Sequence, residues 1–216
     1  KDRSSEDPIN FLDGYSGYLM CDDYGGYDKI PKVKLARCWF HARQRFVKVY
    51  ETLHLSNNPK KAESVAEKAL LIIAKIFAKE SEITKNKDLN MEQILSKRAT
   101  NVKPLVDKYF DLLKKHKDAA VLELKEAINY SLKLEDQLRI FLTDPVVPMT
   151  NNYAERLIKA FVIDRKNFLF SKNYNGAKCS AILLSIIHTA IINGLNPFSY
   201  IKFLLNNIYK IRQFRN

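Results

Sequence analysis

The chain has 216 residues, of which 46% are hydrophobic and 28% charged, and its formal net charge at pH 7 is +12. This composition excludes intrinsic disorder and allows one or two domains with a buried core. No stretch approaches the roughly 18 consecutive apolar residues of a membrane span. No signal peptide is visible, and three scattered cysteines exclude a disulfide scaffold and fit a reducing cytoplasm. The positive charge favours a polyanionic partner, nucleic acid before an anionic membrane surface.

The charge is segregated along the chain. Residues 1–30 carry a net charge of −4, residues 31–60 carry +6, residues 61–155 carry +1 and residues 156–216 carry +9. Two basic blocks therefore flank a nearly neutral middle. This pattern suggests one surface for an anion and one acidic place for a cation, although solvated helix faces in a Lys-rich chain explain it equally well.

Short elements are predicted at the start of the chain. A short helix over 8–15 precedes a buried strand over 17–22, and a turn or short helix follows over 24–29. Alternating residues predict a second strand over 33–39, and helical spacing of apolar residues begins at Phe40.

The middle and the end are predicted to be helical. Apolar stripes indicate helices over 60–83, 91–117 and 119–141, and Pro104 is expected to kink or divide the second. Together they resemble an all-helical insert of roughly 85 residues. The remaining predicted elements are a helix over 152–164, a strand or packed turn over 168–170, and helices over 176–192 and 197–213.

Asp22 and Asp23 end the first predicted strand. Mg²⁺ commonly takes one or two carboxylates and completes its shell with water and phosphate oxygens. The alternative is an aspartate pair that starts a turn, and the pair alone favours that alternative.

Residues 151–156 read NNYAER. With Asn152 as the N-cap, Glu155 completes a variant of the capping box, which is the simplest interpretation of these residues alone. The functional alternative makes Glu155 a metal ligand early in a helix. The basic side chains that would then bind phosphates are Arg156, Lys159, Arg165 and Lys166.

Residues 38–46 read CWFHARQRF. The spacing of Cys38 and His41 is typical of zinc sites, but no fourth soft ligand is visible, so zinc is disfavoured. A helix that presents His41, Arg43 and Arg45 beside an aromatic suits a nucleic-acid backbone better. The alternative is a buried Cys and Trp with a solvated basic face.

Taken together, these segments resemble the insertion-sequence-66 family of bacterial transposases. The resemblance rests on three blocks: GYSGYLMCDDYGGY at 14–27, CWFHARQRF at 38–46, and NNYAER at 151–156 followed by RKNFLFS at 165–171. Later matches are SIIHTA at 185–190 and NGLNP at 193–197.

The resemblance implies a mainly α fold with a small β component. It would be a partial ribonuclease H-like α/β domain that lacks its first strands and carries a large helical insertion. The implied division is 1–58 for the catalytic domain with the second Asp of an Asp-Asp-Glu triad, 59–147 for the insertion, and 148–216 for the Glu helix and C-terminal helices.

The same resemblance implies DNA strand cleavage and transfer with two Mg²⁺ (or Mn²⁺) ions. By position Asp22 is the second triad carboxylate and Glu155 the third, both as catalytic metal ligands. Implied DNA-binding residues are Trp39, His41, Arg43, Arg45, Asn152, Arg156, Lys159, Arg165 and Lys166. Trp39 or His41 would pack against a displaced base. The implied partners are insertion-sequence ends, target DNA, a second copy and accessory proteins, without a membrane, in a cytoplasmic, nucleoid-associated protein.

The first Asp of the triad is expected upstream of the GYSGYL segment, where this chain offers no suitable residue. We therefore expect a C-terminal portion of a transposase that has little or no activity alone. The alternatives are a non-catalytic DNA-binding remnant and a helical protein-interaction module that is basic by composition.

Overall fold

The computed structural model describes residues 6–55, 64–118, 122–167 and 171–212. These residues are mainly helical, with a small sheet near the start. In chain order the elements are α1 (Glu6–Phe11), β1 (Gly17–Cys21), a 3₁₀ turn (Tyr27–Lys29), β2 (Val33–Arg37), α2 (Trp39–Leu55), α3 (Val65–Lys85), α4 (Met91–Lys97), a π-helical turn (Arg98–Val102), α5 (Lys103–Lys115), α6 (Leu122–Lys133), α7 (Glu135–Arg139), a 3₁₀ turn (Ile140–Leu142), α8 (Asn152–Asn167), α9 (Tyr174–Ile192) and α10 (Pro197–Arg212).

β1 and β2 form a parallel pair, with Gly17 opposite Val33 and Cys21 opposite Arg37. Both strands lie where the sequence predicted them. Gly17 has a φ of 133°, a region that only glycine adopts without strain, and it opens β1 directly after the turn. Because the strands are parallel, their carboxyl ends meet at the same edge, and the chain enters α2 from that edge.

The core of the helical segment is built on an aromatic cluster around Trp39. The Trp39 ring lies 5.2 Å from Tyr109, 6.1 Å from Phe110 and 6.3 Å from Phe141, centroid to centroid. These contacts join α2 to α5 and to the 3₁₀ turn after α7. The buried stripe of α3 packs into the same core through Ala66, Ala69, Ile72, Ile73, Ile76 and Ile83.

The predicted division at Pro104 is confirmed. An α-helical Pro104 would leave the carbonyl of Thr100 without its N–H donor, and its ring would crowd that carbonyl. The preceding turn, Arg98–Val102, is accordingly widened into a π-helix, and Pro104 lies in the first turn of α5. The helix predicted over 119–141 is also divided, since Leu134 lies between α6 and α7 with a φ of −104° and a ψ of 12°. Its side chain is buried, as is that of Leu138.

The π-helical turn places Arg98 in the interior, where its exposed fraction is 1%. Its guanidinium meets the Glu80 carboxylate, with Nη2 2.6 Å from Oε1. It also donates to the main-chain carbonyls of Phe141 at 2.5 Å, Asp144 at 2.8 Å and Val147 at 3.3 Å. One side chain thus fastens the segment 141–147 to α3.

The chain divides into two compact units, residues 1–151 and residues 152–216. The first contains the sheet and α1 to α7, and the second contains α8, α9 and α10. The prediction of a mainly α chain with a small β component is confirmed. The three-part division at 58 and 147 stays a prediction. The strand or turn predicted over 168–170 lies outside the described residues.

Helix α9 is long and apolar enough to cross a membrane by length and composition, with a mean hydropathy of 1.4 over an 18-residue window. It lies where the sequence predicts a nearly all-apolar helix, over 176–192, in which Lys178 and several hydroxyl side chains interrupt the apolar run. The core helix of a soluble protein can pass the same test, although only 6% of this window is buried.

Candidate functional site

The carboxyl edge of the two-stranded sheet carries the first candidate residues. Asp22 and Asp23 directly follow β1, as predicted, and both are half-buried. Asp22 Oδ1 accepts a hydrogen bond from the main-chain N–H of Tyr24 at 3.2 Å. This contact forms an Asx-turn, which keeps the carboxylate close to the loop that follows it. Gly26 allows this loop to fold tightly, since a Cβ there would lie 2.3 Å from the Tyr24 ring.

Arg37 lies directly behind this loop and was missed by the sequence reading. It is the last residue of β2, opposite Cys21, and its exposed fraction is only 2%. Its Nε donates to Gln137 Oε1 at 2.7 Å, and Nη1 donates to Cys21 Sγ at 3.3 Å and to the carbonyl oxygen of Asp22. Its Nη2 lies 2.5 Å from Asp28 Oδ1.

Cys21 and Cys38 are both buried at this edge and form no disulfide. Burial raises the pKa of the Cys21 thiol to about 11, although the nearby Arg37 cation acts in the opposite direction. The Cys21 thiol therefore stays protonated at neutral pH. The low weight of zinc at Cys38 and His41 stays a prediction.

An open cleft of about 550 Å³ lies beside Asp22 and Asp23. One wall is a face of α2, the other is a face of α6, and the loop after β1 forms the end. The charged and polar side chains that line it are Asp22, Asp23, Tyr24, His41, Gln44, Arg45, Lys48, Glu123, Glu126 and Tyr130. The cleft therefore combines carboxylates at the sheet edge with cations from α2.

The α2 residues divide between the core and this cleft by helical spacing. His41, Gln44, Arg45 and Lys48 recur at three- and four-residue intervals and line the cleft, whereas Ala42 and Phe46 are buried on the other side. The structure thus places the predicted His41 and Arg45 together and adds Lys48, which the same spacing could have found. Arg43 is exposed but does not line the cleft.

Trp39 is a correction to the sequence-based assignment. Its exposed fraction is 0%, and its indole N–H donates to the Leu138 carbonyl at 2.8 Å. A base can stack only on an exposed ring face, and the faces of Trp39 pack in the aromatic core. Trp39 is therefore a core residue, and the prediction that it contacts DNA is wrong.

Tyr130 forms the aromatic surface of the cleft. The Arg45 guanidinium carbon lies 4.0 Å from the centroid of its ring, within the range of a cation–π contact. Burial, followed by the nearby Asp23 carboxylate, raises the pKa of Tyr130 above 10.0, and Arg45 opposes this shift. The phenol therefore keeps its proton at neutral pH and can donate a hydrogen bond into the cleft.

The second compact unit carries the other predicted residues on α8. Asn152 is the first residue of this helix. The residue that precedes the helix is therefore Asn151, whereas the sequence predicted Asn152 in that position. Glu155, Lys159 and Lys166 follow at intervals of four and seven, which places them on one exposed face. Arg156 is exposed as well, and the side chain of Arg165 lies outside the described residues.

Asp22 and Glu155 belong to different compact units. Their pairing as ligands of one metal centre therefore stays a prediction, as do the assignments of the other site residues apart from Trp39.

The comparison with protein families decides what these elements belong to. A family model described as "Transposase IS66 family" matches residues 1–179, which include all three sequence blocks. The chain belongs to the IS66 transposase family. In this family member the match extends from the segment before β1 through the sheet, the cleft and the Glu155 helix into α9.

Three proteins of Sinorhizobium fredii (strain NBRC 101917 / NGR234) are similar to this transposase-family chain. Uncharacterized protein y4hP is 30% identical over 222 residues, which cover 96% of this chain and 39% of the relative. Uncharacterized protein y4qI is 28% identical over 95% of this chain, and uncharacterized protein y4jD is 29% identical over 91%. The chain spans about two-fifths of the length of these relatives. No solved structure matches it.

The oxygen donors at the sheet edge of this IS66-family chain fit a hard cation. Asp22 and Asp23 offer carboxylates, and Mg²⁺ typically binds through one or two of these and keeps several waters. Within the described ranges no three His, Cys, Asp or Glu side chains come together as a metal site. The binding of Mg²⁺ or Mn²⁺ at this edge stays a prediction.

Proposed function

We propose that this chain carries part of the catalytic region of a DNA transposase of the Asp-Asp-Glu type, with a ribonuclease H-like arrangement around β1 and β2. The family membership supports the transposase function. The observation that carries the site assignment is the position of Asp22, at the carboxyl edge of the parallel strands and on the rim of the cleft lined by α2.

In this proposal Asp22 and Glu155 are the second and third carboxylates of the triad, and both would bind Mg²⁺ or Mn²⁺. A bound divalent cation supplies Lewis-acid stabilisation at phosphorus and makes a coordinated water more acidic. We assign no first carboxylate in this chain, so we expect it to show little cleavage alone.

The polar face of α2 would bind the DNA backbone. Arg45 and Lys48 lie in the cleft beside the aspartates and can neutralise phosphates, while Gln44 and His41 can donate hydrogen bonds to phosphate oxygens. The carboxylates of Glu123 and Glu126 on the opposite wall repel a second phosphate chain. This asymmetry favours one strand that follows α2.

In the second unit, α8 would carry a phosphate-binding surface of its own beside Glu155, formed by Arg156, Lys159, Arg165 and Lys166. DNA, in the form of insertion-sequence ends and target, is the partner that the family implies. A homo-oligomer, accessory proteins and a nucleoid-associated location belong to the same proposal.

The DNA-binding part is tested by fluorescence anisotropy with a labelled 40-base-pair duplex over a range of salt concentrations. Each lost phosphate contact lowers the slope of log K against log salt by about 0.9. We expect the double variant Arg45→Gln/Lys48→Gln to lose roughly two such contacts. The matched control Lys75→Gln/Lys79→Gln, on the exposed surface of α3, should keep the wild-type slope. An unchanged slope in the cleft variant would contradict the cleft assignment.

The catalytic part is tested by nicking of supercoiled plasmid with Mg²⁺ or with EDTA. We expect any Mg²⁺-dependent nicking to be weak, to disappear in Asp22→Asn and in Glu155→Gln, and to persist in Asp111→Asn, whose carboxylate is exposed on α5. Nicking that survives both site substitutions would refute the assignment.

A second candidate function is a non-catalytic DNA-binding protein. It is favoured by the cleft itself, because Arg45 and Lys48 can bind phosphates without a metal ion. DNA binding that depends steeply on salt but not on Mg²⁺, without nicking, would support it. No binding at moderate salt would instead support a protein-interaction module.

A further inference from the structure

Arg37 is a buried cation whose guanidinium donates hydrogen bonds to the elements around the loop that follows β1, residues 22–26. We propose that Arg37 is a positioning residue, which fixes the main chain of Asp22 so that its carboxylate can bind a divalent cation. This inference rests on the proposed metal-binding role of Asp22.

The strand register gives Arg37 access to Asp22. Because Cys21 lies opposite Arg37, the next residue along the chain, Asp22, begins the loop directly at the guanidinium. Nη1 donates both to the carbonyl oxygen of Asp22 and to Cys21 Sγ. The Arg37 side chain therefore fixes the peptide that follows Asp22, and with it the direction in which that residue leaves the strand.

The charges around Arg37 are divided unequally among the aspartates of the loop. Its Nη2 lies 2.5 Å from Asp28 Oδ1 and 4.0 Å from Asp23 Oδ1. Its contact with Asp22 is made to the main-chain carbonyl instead. The cation is thus compensated by two neighbouring carboxylates, and Asp22 is positioned without forming an ion pair with the residue that holds it.

The arrangement requires the planar guanidinium. Arginine has five N–H donors in a rigid fork, whereas the three donors of lysine radiate from a single atom. Here Nε contacts Gln137 on α7, Nη1 contacts the end of β1, and Nη2 contacts the 3₁₀ turn. A lysine keeps the positive charge but cannot reach these three separate elements together.

The test is a titration of the ¹⁵N-labelled chain with Mn²⁺, in which paramagnetic broadening of the Gly25 and Gly26 amide signals reports binding near Asp22. We expect Arg37→Lys, which preserves charge, to weaken Mn²⁺ binding at least tenfold. Gln137→Met removes one anchor of the guanidinium at a half-buried position and should weaken binding severalfold. The matched control Lys34→Gln, on the exposed face of β2, should bind Mn²⁺ like the wild type.

Two further measurements separate positioning from a general loss of structure. In Gln137→Met, the thermal midpoint and the affinity for duplex DNA in EDTA should stay close to the wild-type values. If Arg37→Lys folds poorly, the Mn²⁺ affinity of Gln137→Met therefore tests the positioning role. Wild-type affinity for Mn²⁺ in both variants would overturn the role of Arg37 and leave the proposed function intact. An absence of broadening in the wild-type chain would overturn the metal role of Asp22, and with it this inference.

Discussion

The buried pair of Arg98 and Glu80 allows a quantitative prediction about stability. Replacing Arg98 with Met removes the partner of a carboxylate whose side chain is 8% exposed, and it also removes the donor to three main-chain carbonyls. Breaking a buried ion pair by removing one partner costs about 3–5 kcal/mol. Each carbonyl left unsatisfied in the interior adds about 1–3 kcal/mol, less where water can reach it. We therefore expect Arg98→Met to lower the free energy of unfolding by at least about 4 kcal/mol.

The assay is urea unfolding of the whole chain, followed by circular dichroism. Two comparisons identify the source of the loss. Glu80→Gln leaves the carbonyl contacts in place but removes the charge that compensates the buried Arg98 guanidinium, so its cost should be about 3–5 kcal/mol. Any larger cost of Arg98→Met then reports the three carbonyls that lose their donor. Lys79→Met removes the exposed ion pair with Glu82 on the same helix and should cost less than about 1 kcal/mol.

The pH dependence provides a second check on Arg98→Met. Burial raises the pKa of Glu80 above its usual 4.5, while Arg98 lowers it. Without the guanidinium the folded-state pKa rises further, so the folded protein binds a proton more readily than the unfolded chain. The stability deficit of Arg98→Met should therefore shrink as the pH is lowered toward 4.5. A deficit below about 1 kcal/mol at neutral pH would refute the reasoning, because the loss of an exposed ion pair already costs up to about 1 kcal/mol.

Two further predictions concern Trp39 and Asp107. Because Trp39 is a core residue, Trp39→Phe should lower the free energy of unfolding by about 1–3 kcal/mol, as the indole N–H bond to Leu138 and some packing are lost. Its affinity for duplex DNA in the anisotropy assay should not change, and a drop in affinity at full folding would restore the original assignment. Lys103, together with Arg139, lowers the pKa of Asp107 below 3.8. Asp107→Asn should thus cost less than about 1 kcal/mol at neutral pH, since the Asp107 side chain is 38% exposed and water screens the pair. The difference from wild type should vanish as the pH falls through that lowered pKa, and a difference that persists in acid would contradict the ion-pair explanation.

Much of the local structure could be predicted because it depends on neighbouring residues. The alternating residues of β2, the apolar stripe of α3 and the break at Pro104 all follow from spacing within a few positions. The placement of Asp22 after β1 follows in the same way. The parallel register of the strands depends on residues far apart in sequence, and no local pattern specifies it.

The errors in the site assignment also arise from contacts between residues that are far apart in sequence. Trp39 stands among basic residues in sequence, but it is the helical rotation of α2 and the packing of Tyr109 that bury it. Arg37 looks like any strand arginine, and its role depends on Gln137, one hundred positions later. The membership of Lys48 in the cleft could have been predicted, since it follows His41 by seven residues on the same face.

The long-range contacts of α2 also affect how the chain is made. The Trp39 main-chain N–H donates to Met149 at 3.2 Å, and its indole donates to Leu138, 99 positions away. At a synthesis rate of about 5–20 residues per second, the ribosome adds these partners roughly 5–20 s after it has added Trp39. A polypeptide that terminates before Tyr109 is released without the rings that cover Trp39, and we expect such truncated products to require chaperones or to aggregate.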